Sequence, residues 1–512
     1  MIEQKILLVS CVLYLASIFL FLAGKKKLSL AILVIAAFLT RYWAATLFPY
    51  LNDWDERFHA LVGKNLIAHP WKPTMVERPV LPIDFKDWTG NHIWVHKQPL
   101  FLWQIALSVF VFGVNEMAVR MPSIVLSSLL VLITYRIGSL AFNERTGYVG
   151  GLLIATSFPL MMLVTGVEGM DHNDISFMFY VTASIWAWLE YEQSKNIKWV
   201  WLMGALAGAA VLCKWVTGML VFGMFGFGHL FIQKDFFTRN VFKVLLQGLL
   251  VCVLVALPWQ IYILLSFHQE AVWEYSFSAR HFSEVLEDHK HAIWYYVEQI
   301  TSKYQMLFPF IIVGIGTLGL RKEKFKFSFP LFIGVLAVYI FFSLAATKLP
   351  GYVLMVMPLM YLLIASGFVW VVEWLFARLP GKVFHALLFI LLSLGAYQNL
   401  RLYHIFWSSL MDESYYGRNR LAKKINTESF KAARLTLPKD YVIIWCNGFE
   451  RVECMFYTGN TAYSPIEEYK VQDLHSRGVK LAVFNREDLP DYIRNDSLIL
   501  KLPYEMKLRV AD

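Results

Sequence analysis

The sequence predicts an all-α polytopic membrane protein of about 12 transmembrane helices, followed by a small C-terminal α/β domain. Three observations carry this. Of the 512 residues 57% are apolar and only 17% charged, with a mean hydropathy of +0.50, which is too apolar for a soluble chain of this length. The apolar residues fall into runs close to the roughly 20 residues that cross a hydrocarbon core of roughly 30 Å. Beyond residue 400 the pattern changes to short strand-like and helix-like stretches with polar surroundings.

The runs are 5–24, 29–48, 121–141, 147–165, 174–191, 199–213, 215–232, 241–267, 304–320, 329–346, 351–372 and 382–399. The first resembles a signal peptide, but its basic cluster Lys25 to Lys27 follows the apolar stretch instead of preceding it, so a retained helix is expected. Residues 100–114 are apolar but short, and read as a segment entering from an interfacial loop. Lys25 to Lys27, Lys195 with Lys198, Lys234 with Arg239 and Lys243, Arg321 to Lys326, and Arg378 with Lys382 occupy alternate connections. Basic residues collect on the cytoplasmic side. Loops 49–99 and 268–303, the stretch 166–174 and the link 347–350 are therefore expected outside an inner, or plasma, membrane. In the soluble part, Tyr441 to Trp445 and Lys480 to Phe484 read as buried strands and Phe449 to Tyr457 as a helix. The expected organisation is a membrane domain over 1–400 and an extracytoplasmic domain over 401–512.

The formal net charge is +9. It lies in short clusters between apolar runs, without a basic patch interleaved with aromatics, so membrane lipids are the expected counterpart and nucleic acid is excluded. The five cysteines include no C-x-x-C pair, so neither a zinc knuckle nor a redox motif is indicated, and Cys446 and Cys454 are expected to stay unpaired.

Ionisable residues gathered at one membrane face mark a site by default, because desolvating them is costly. Loop 49–99 opens Asn52-Asp53-Trp54-Asp55-Glu56-Arg57-Phe58-His59. Helix capping explains two of the carboxylates, with Asp53 at the N-cap and Glu56 completing a capping box. Asp55 and His59, four apart on one helical face, are left without a structural task. Asp55 is thus the preferred catalytic carboxylate. The loop ends His96-Lys97-Gln98-Pro99, where Lys97 either snorkels or holds a lipid phosphate as a point charge. Asp171-His172-Asn173-Asp174 reads as a helix cap or as a second carboxylate site. Loop 268–303 adds Arg280, His281, His289 and His291, and the link 347–352 adds Lys348 and Tyr352.

Taken in order, these motifs resemble the polyprenyl-phosphate-sugar-dependent glycosyltransferases of the GT-C fold, especially the lipid A aminoarabinose transferases and the protein O-mannosyltransferases. The resemblance runs from about residue 40 to 370. It rests on Asp55-Glu56 after an early helix and on Lys97-Gln98-Pro99-Leu100 with Trp103. Arg120-Met121-Pro122-Ser123, Asp171, Leu212-Cys213-Lys214, Arg280, His289 with Trp294-Tyr295-Tyr296, and Lys348 to Tyr352 follow. The family places Arg three residues after its Asp, where this chain has Phe58, and often Glu before the Lys of its Pro-Pro motif, where this chain has His96. The resemblance implies inverting transfer of a sugar from a polyprenyl-phosphate donor to a lipid, glycan or protein acceptor outside the membrane, by a monomer. It gives Asp55, Glu56 and Asp171 catalytic roles, assigns the donor phosphate to Lys97, Arg57, Arg280, Lys348 and Tyr352, and suggests a zinc-like divalent ion at His96 and His289. The rival readings are a secondary transporter, although neither inverted repeats nor midplane ionisable groups are evident, and an oligosaccharide polymerase or ligase of the same fold.

Overall fold

The computed structural model describes residues 2–167, 171–320, 322–402 and 419–509. Contacts divide the chain into two units. The first comprises residues 1–43, 123–164 and 172–401; the second comprises 44–122, 165–171 and 402–512.

The first unit is helical. Among the described residues nine helices of the chain are long and apolar enough to cross a membrane, and ten if a bent pair counts as one span. The count is lower than about 12 for definite reasons. The runs 199–213 and 215–232 merge into one stretch, Lys198–Gln233. The run 174–191 forms the helix His172–Ser194, which carries Asp174, Glu190 and Glu192 and is buried along most of its length. Arg321, expected among the cytoplasmic basic residues, lies outside the described residues. The helix Leu100–Phe112 is short, as its sequence suggests.

Run 147–165 is the bent pair, Glu144–Ala155 and Phe158–Val164, with 44° between the halves. The cause is Pro159, which has no N–H to donate back to Ala155 and therefore breaks the hydrogen-bond ladder. Away from water the released carbonyls must find other donors. The Tyr14 hydroxyl donates to Ala155 O (3.0 Å), the buried Arg41 guanidinium to Ile154 O (2.8 Å) and the Asn399 amide to Leu153 O (2.7 Å). Elsewhere small residues let helices touch. A Cβ on Gly314 would lie 2.0 Å from Leu363 O, and one on Gly367 2.1 Å from Phe310 O, so the helices Phe308–Thr317 and Met357–Phe376 meet backbone to backbone.

The second unit is α/β. Its parallel sheet has the order β1 (Tyr441–Ile443), β2 (Lys480–Asn485), β3 (Leu500–Glu505). The helix expected over 449–457 spans Glu450–Thr458. Side chains alternate across the sheet as the period of two requires. Val442, Leu481 and Val483 pack on one face with Leu474 and Ile493. Ile443, Ala482 and Phe484 pack on the other with Phe430, Val452 and Phe456. That second face shares its core with Phe58 and Leu61 of the helix Asp55–Asn65 and with Trp94, Phe101 and Ile105. Loop 49–99 and the C-terminal segment are therefore one folded body. Among the described residues no disulfide joins Cys446 to Cys454, and both are buried.

Candidate functional site

In the second unit the site is built on the helix Asp55–Asn65. Asp53 is not its N-cap: Trp54 holds that position with φ +61°, and no side chain caps the helix. Glu56 does not close a capping box either. Its two oxygens accept from Arg120 Nε (2.7 Å) and Nη2 (2.9 Å), and one also accepts from Asn52 N (2.5 Å). Arg120 spends its remaining N–H groups on the carbonyls of Ala45 (2.9 Å), Phe48 (2.6 Å) and Tyr50 (2.7 Å). Both side chains are buried. The planar guanidinium fork suits two carboxylate oxygens and three carbonyls at once, which no short-range capping geometry matches. A Cβ on Gly166, at φ +71°, would stand 2.3 Å from Glu56 Cδ, so this carboxylate fills the space a side chain would need.

Next to this locked residue, Asp55 remains accessible. Its Oδ2 lies 3.6 Å from Lys97 Nζ, and the side chains are 14% and 22% exposed. The preferred carboxylate of the sequence and the candidate phosphate-binding lysine, 42 positions apart, are thus brought together.

His59, one turn further along the helix, is buried and its Nδ1 lies 2.9 Å from Asp171 Oδ1. The ring stands edge-on to Phe101 (4.7 Å), and among the described residues Nε2 has no hydrogen-bond partner. The sequence placed His59 on the face of Asp55 but did not pair it with Asp171.

Arg57 is 1% exposed and faces carboxylates. Asp53 Oδ1 is 2.6 Å away and Glu453 Oε1 3.4 Å. Around them Lys423 pairs with Asp53, and Arg509 reaches Glu453 (2.6 Å) and Glu450 (2.7 Å). Burial alone would raise the Asp53 carboxyl, but Arg57, Lys423 and Arg509 hold it below the usual carboxylate range. Arg57 is therefore engaged in fixing the first turn of the helix. The Asp53–Arg57 spacing of four could have suggested the near pair, but nothing in the local sequence shows the rest, because Glu450, Glu453 and Arg509 lie in the C-terminal segment.

In the first unit, segment 281–290 and the link 345–349 are clasped by backbone bonds. Ala346 N donates to Phe282 O (2.9 Å), Thr347 N to His281 O (3.0 Å) and Lys348 N to His289 O (3.1 Å). Lys348 is 6% exposed and its ammonium donates to Ala345 O (2.6 Å). Arg280 is 37% exposed, 3.7 Å from Glu284 and over the ring of Trp273. A pair the sequence left unassigned also appears here. Lys214 Nζ donates to the buried Asp174 Oδ1 (2.7 Å) and sits 5.4 Å from the centre of the Tyr352 ring. Tyr352 thus faces a cation of its own chain.

The residues named for a metal do not gather a donor set. The His96 ring stacks on Trp88 at 4.5 Å, and among the described residues no group of three or more His, Cys, Asp or Glu side chains is placed to hold a metal ion. Neither His96 nor His289 fits the expected ion.

With this geometry in hand, the fold can be compared with known ones. It is the GT-C fold of membrane glycosyltransferases, and the chain is a multi-pass membrane protein. ArnT from Cupriavidus metallidurans bound to undecaprenyl phosphate superposes with a TM-score of 0.61 at 13% identity, over 92% of this chain and 89% of that one. The oligosaccharyltransferase AglB from Archaeoglobus fulgidus, in a complex with zinc and sulfate, gives 0.54 at 14% identity, over 85% of this chain and 62% of that one. Residues 96–262 match the dolichyl-phosphate-mannose-protein mannosyltransferase family. An undecaprenyl phosphate-alpha-4-amino-4-deoxy-L-arabinose arabinosyl transferase of Yersinia pestis (strain Pestoides F) is 29% identical over 286 residues, 52% of this chain and 48% of its own. The corresponding transferase 1 of Pseudomonas fluorescens (strain Pf0-1) is 24% identical over 323 residues, 59% of this chain and 54% of its own. The chain spans about half the length of the curated relatives it matches.

Two expected outcomes test the site's foundations. Removing one member of a buried ion pair strands the other and costs about 3–5 kcal/mol, whereas replacing both with apolar residues removes much of that penalty. Arg120→Met should therefore lower the thermal midpoint sharply, and the double variant Arg120→Met with Glu56→Leu should recover part of the loss. The second outcome is pH-dependent. Because the Asp53 carboxyl is depressed in the fold, its contribution is complete above the unfolded value of about 3.9 and is lost as pH falls through the folded value. The midpoint deficit of Asp53→Asn relative to wild type should be constant near neutrality and shrink below about pH 4; a deficit unchanged to pH 3 would show that the ion pairs are not its source.

Proposed function

We propose that this protein is an integral-membrane glycosyltransferase that moves a sugar from a polyprenyl-phosphate carrier to an acceptor outside the membrane. The observation that carries the reading is the meeting of Asp55 and Lys97 on a helix whose neighbouring carboxylate is locked by Arg120. The GT-C fold and the donor class named for the relatives support it.

In the proposed reaction an acceptor oxygen attacks the anomeric carbon while the bond from that carbon to the carrier phosphate breaks. The bonding pair leaves on the phosphate oxygen. Lys97 meets that growing charge as a compact ammonium. Asp55 takes the proton of a hydroxyl acceptor. Attack from the face opposite the phosphate inverts the anomeric centre. Until a donor arrives, Lys97 lies beside Asp55; an arriving phosphate competes for the ammonium and leaves the carboxylate available as base. Asp171 acts through His59, and Glu56 and Arg57 position the helix. For Arg280, contact with the donor phosphate is retained as a role; for Lys348 and Tyr352 we assign support of the link and of Lys214. No step is routed through a metal.

We further propose that the site, loop 268–303 and residues 401–512 lie on the outer side of the inner membrane. The reading supplies two outcomes. Lys97→Ala should bind a polyprenyl-phosphate analogue only moderately worse yet lose most turnover, because charge meets the ammonium mainly in the transition state. Asp55→Asn, with size preserved and proton acceptance lost, should transfer to a hydroxyl acceptor roughly 10²- to 10⁴-fold more slowly. Wild-type turnover by well-folded Asp55→Ala protein would remove Asp55 from the site. For sidedness, single cysteines at the exposed positions Ser283 and Ser476 should react with an impermeant thiol reagent in intact spheroplasts, and one at Glu323 should not; the reverse pattern would overturn the orientation.

A further inference from the structure

The second unit contains a cavity of about 230 Å³ lined by Lys64, Glu77, Arg78, Lys439 and Asn460, among others. Lys64 projects from the last turn of the helix Asp55–Asn65, and Lys439 precedes β1. Both ammonium groups converge on the C-terminal end of the helix Glu450–Thr458. Lys64 donates to Met455 O (2.7 Å) and Phe456 O (2.9 Å), and Lys439 donates to Thr458 O. They lie 3.8 and 3.2 Å from the point a Cβ on Gly459 would occupy, and that glycine ends the helix at φ +75°. Helix C-termini attract cations, which accounts for the placing of two lysines.

It does not account for the rest. Among the described residues none of Lys64, Arg78 and Lys439 has a carboxylate within ion-pair distance, although Glu77 lines the same cavity. An ammonium offers three donors, so Lys64 keeps one uncommitted and Lys439 two, and the Arg78 guanidinium makes no hydrogen bond among the described residues. Burial, opposed by Glu77 and reinforced by Lys439 and Arg434, pushes the Lys64 ammonium down to about 8. Asn460 is 2% exposed and gives its amide N–H groups to Pro438 O (2.7 Å) and Tyr441 O (2.9 Å). Its Oδ1 is buried and, among the described residues, accepts no hydrogen bond. Three cations with uncommitted N–H groups thus line one cavity against a single carboxylate.

We propose that this cavity binds a phosphate monoester, such as a sugar phosphate. Three cations against one carboxylate match a dianion, and the free N–H groups match its terminal oxygens. The ligand class would be the same for a soluble sugar phosphate and for a lipid headgroup. The proposal does not depend on the transfer reaction.

The test uses the full chain in phosphatidylcholine nanodiscs, with glucose 6-phosphate as the probe and calorimetry as the readout. Saturable binding should weaken roughly tenfold or more in Arg78→Ala and in Lys439→Ala, each of which removes a charge-assisted contact from a partly exposed side chain. It should persist in Lys97→Ala. Absence of saturable binding, or binding lost in Lys97→Ala and retained in Arg78→Ala and Lys439→Ala, would overturn the assignment. A second arm includes phosphatidylinositol 4-phosphate in the disc. Competition with glucose 6-phosphate would support a lipid-borne ligand and its absence a soluble one, provided the two cation variants abolish the signal.

Discussion

The Arg120–Glu56 pair is the constraint on which the candidate site depends. One guanidinium holds both oxygens of Glu56 and the carbonyls of Ala45, Phe48 and Tyr50, in the last turn of the helix Lys26–Thr46 and just after it, all away from water. A buried carboxylate and a buried guanidinium are individually expensive, so each is stable only in the presence of the other. The pair therefore has two states, formed or unfolded, and little in between. Asp55 is the residue before Glu56 in the same helical turn. Burying one carboxylate of an adjacent pair directs the other to a different face, and that is how a mobile-looking loop comes to present Asp55 within reach of Lys97.

A second layer fixes the same turn from the distant end of the sequence. Arg57 and Asp53 are held by Glu453, Lys423 and Arg509, and the hydrophobic face of the helix packs on the core of the parallel sheet. For the proposed transfer, in which negative charge grows on the donor phosphate, such preorganisation matters more than the number of charges present. The cost is a set of carboxylates that must remain ionised, which links the geometry of the site to pH through Asp53.

The sequence was most legible where physics acts locally. Apolar run length gave the membrane helices, and short continuous apolar runs gave β1 and β2. The chemistry-bearing residues Asp55 and Lys97 stood out because short-range capping failed to explain the first and the boundary position singled out the second. What stayed hidden depended on contacts between remote segments. Glu56 looked like a capping residue because its partner Arg120 is 64 positions away. Arg57 looked available for phosphate because one of its two carboxylates, Glu453, comes from the C-terminal segment, and Asp53 reads locally as a cap. The strand β3 was missed since Leu500–Glu505 includes Pro503 and alternates only weakly. The break at Pro159 was present in the sequence, but its compensation by Tyr14, Arg41 and Asn399 required three other helices. For His96 residue type alone said little: its ring stacks on Trp88, and among the described residues no donor set gathers around it.

The account's central claim is that the protein breaks the bond between sugar and carrier phosphate instead of moving the donor intact. The most direct measurement follows both products at once, using purified protein in nanodiscs, a polyprenyl-phosphate sugar of known anomeric configuration and an extract of envelope lipids and glycans. The account predicts free polyprenyl phosphate and glycosylated acceptor in equal amounts, with the anomeric configuration inverted, and a large, equal loss of both products when Lys97 is alanine. Donor that is transported or retained with its sugar still attached would contradict it.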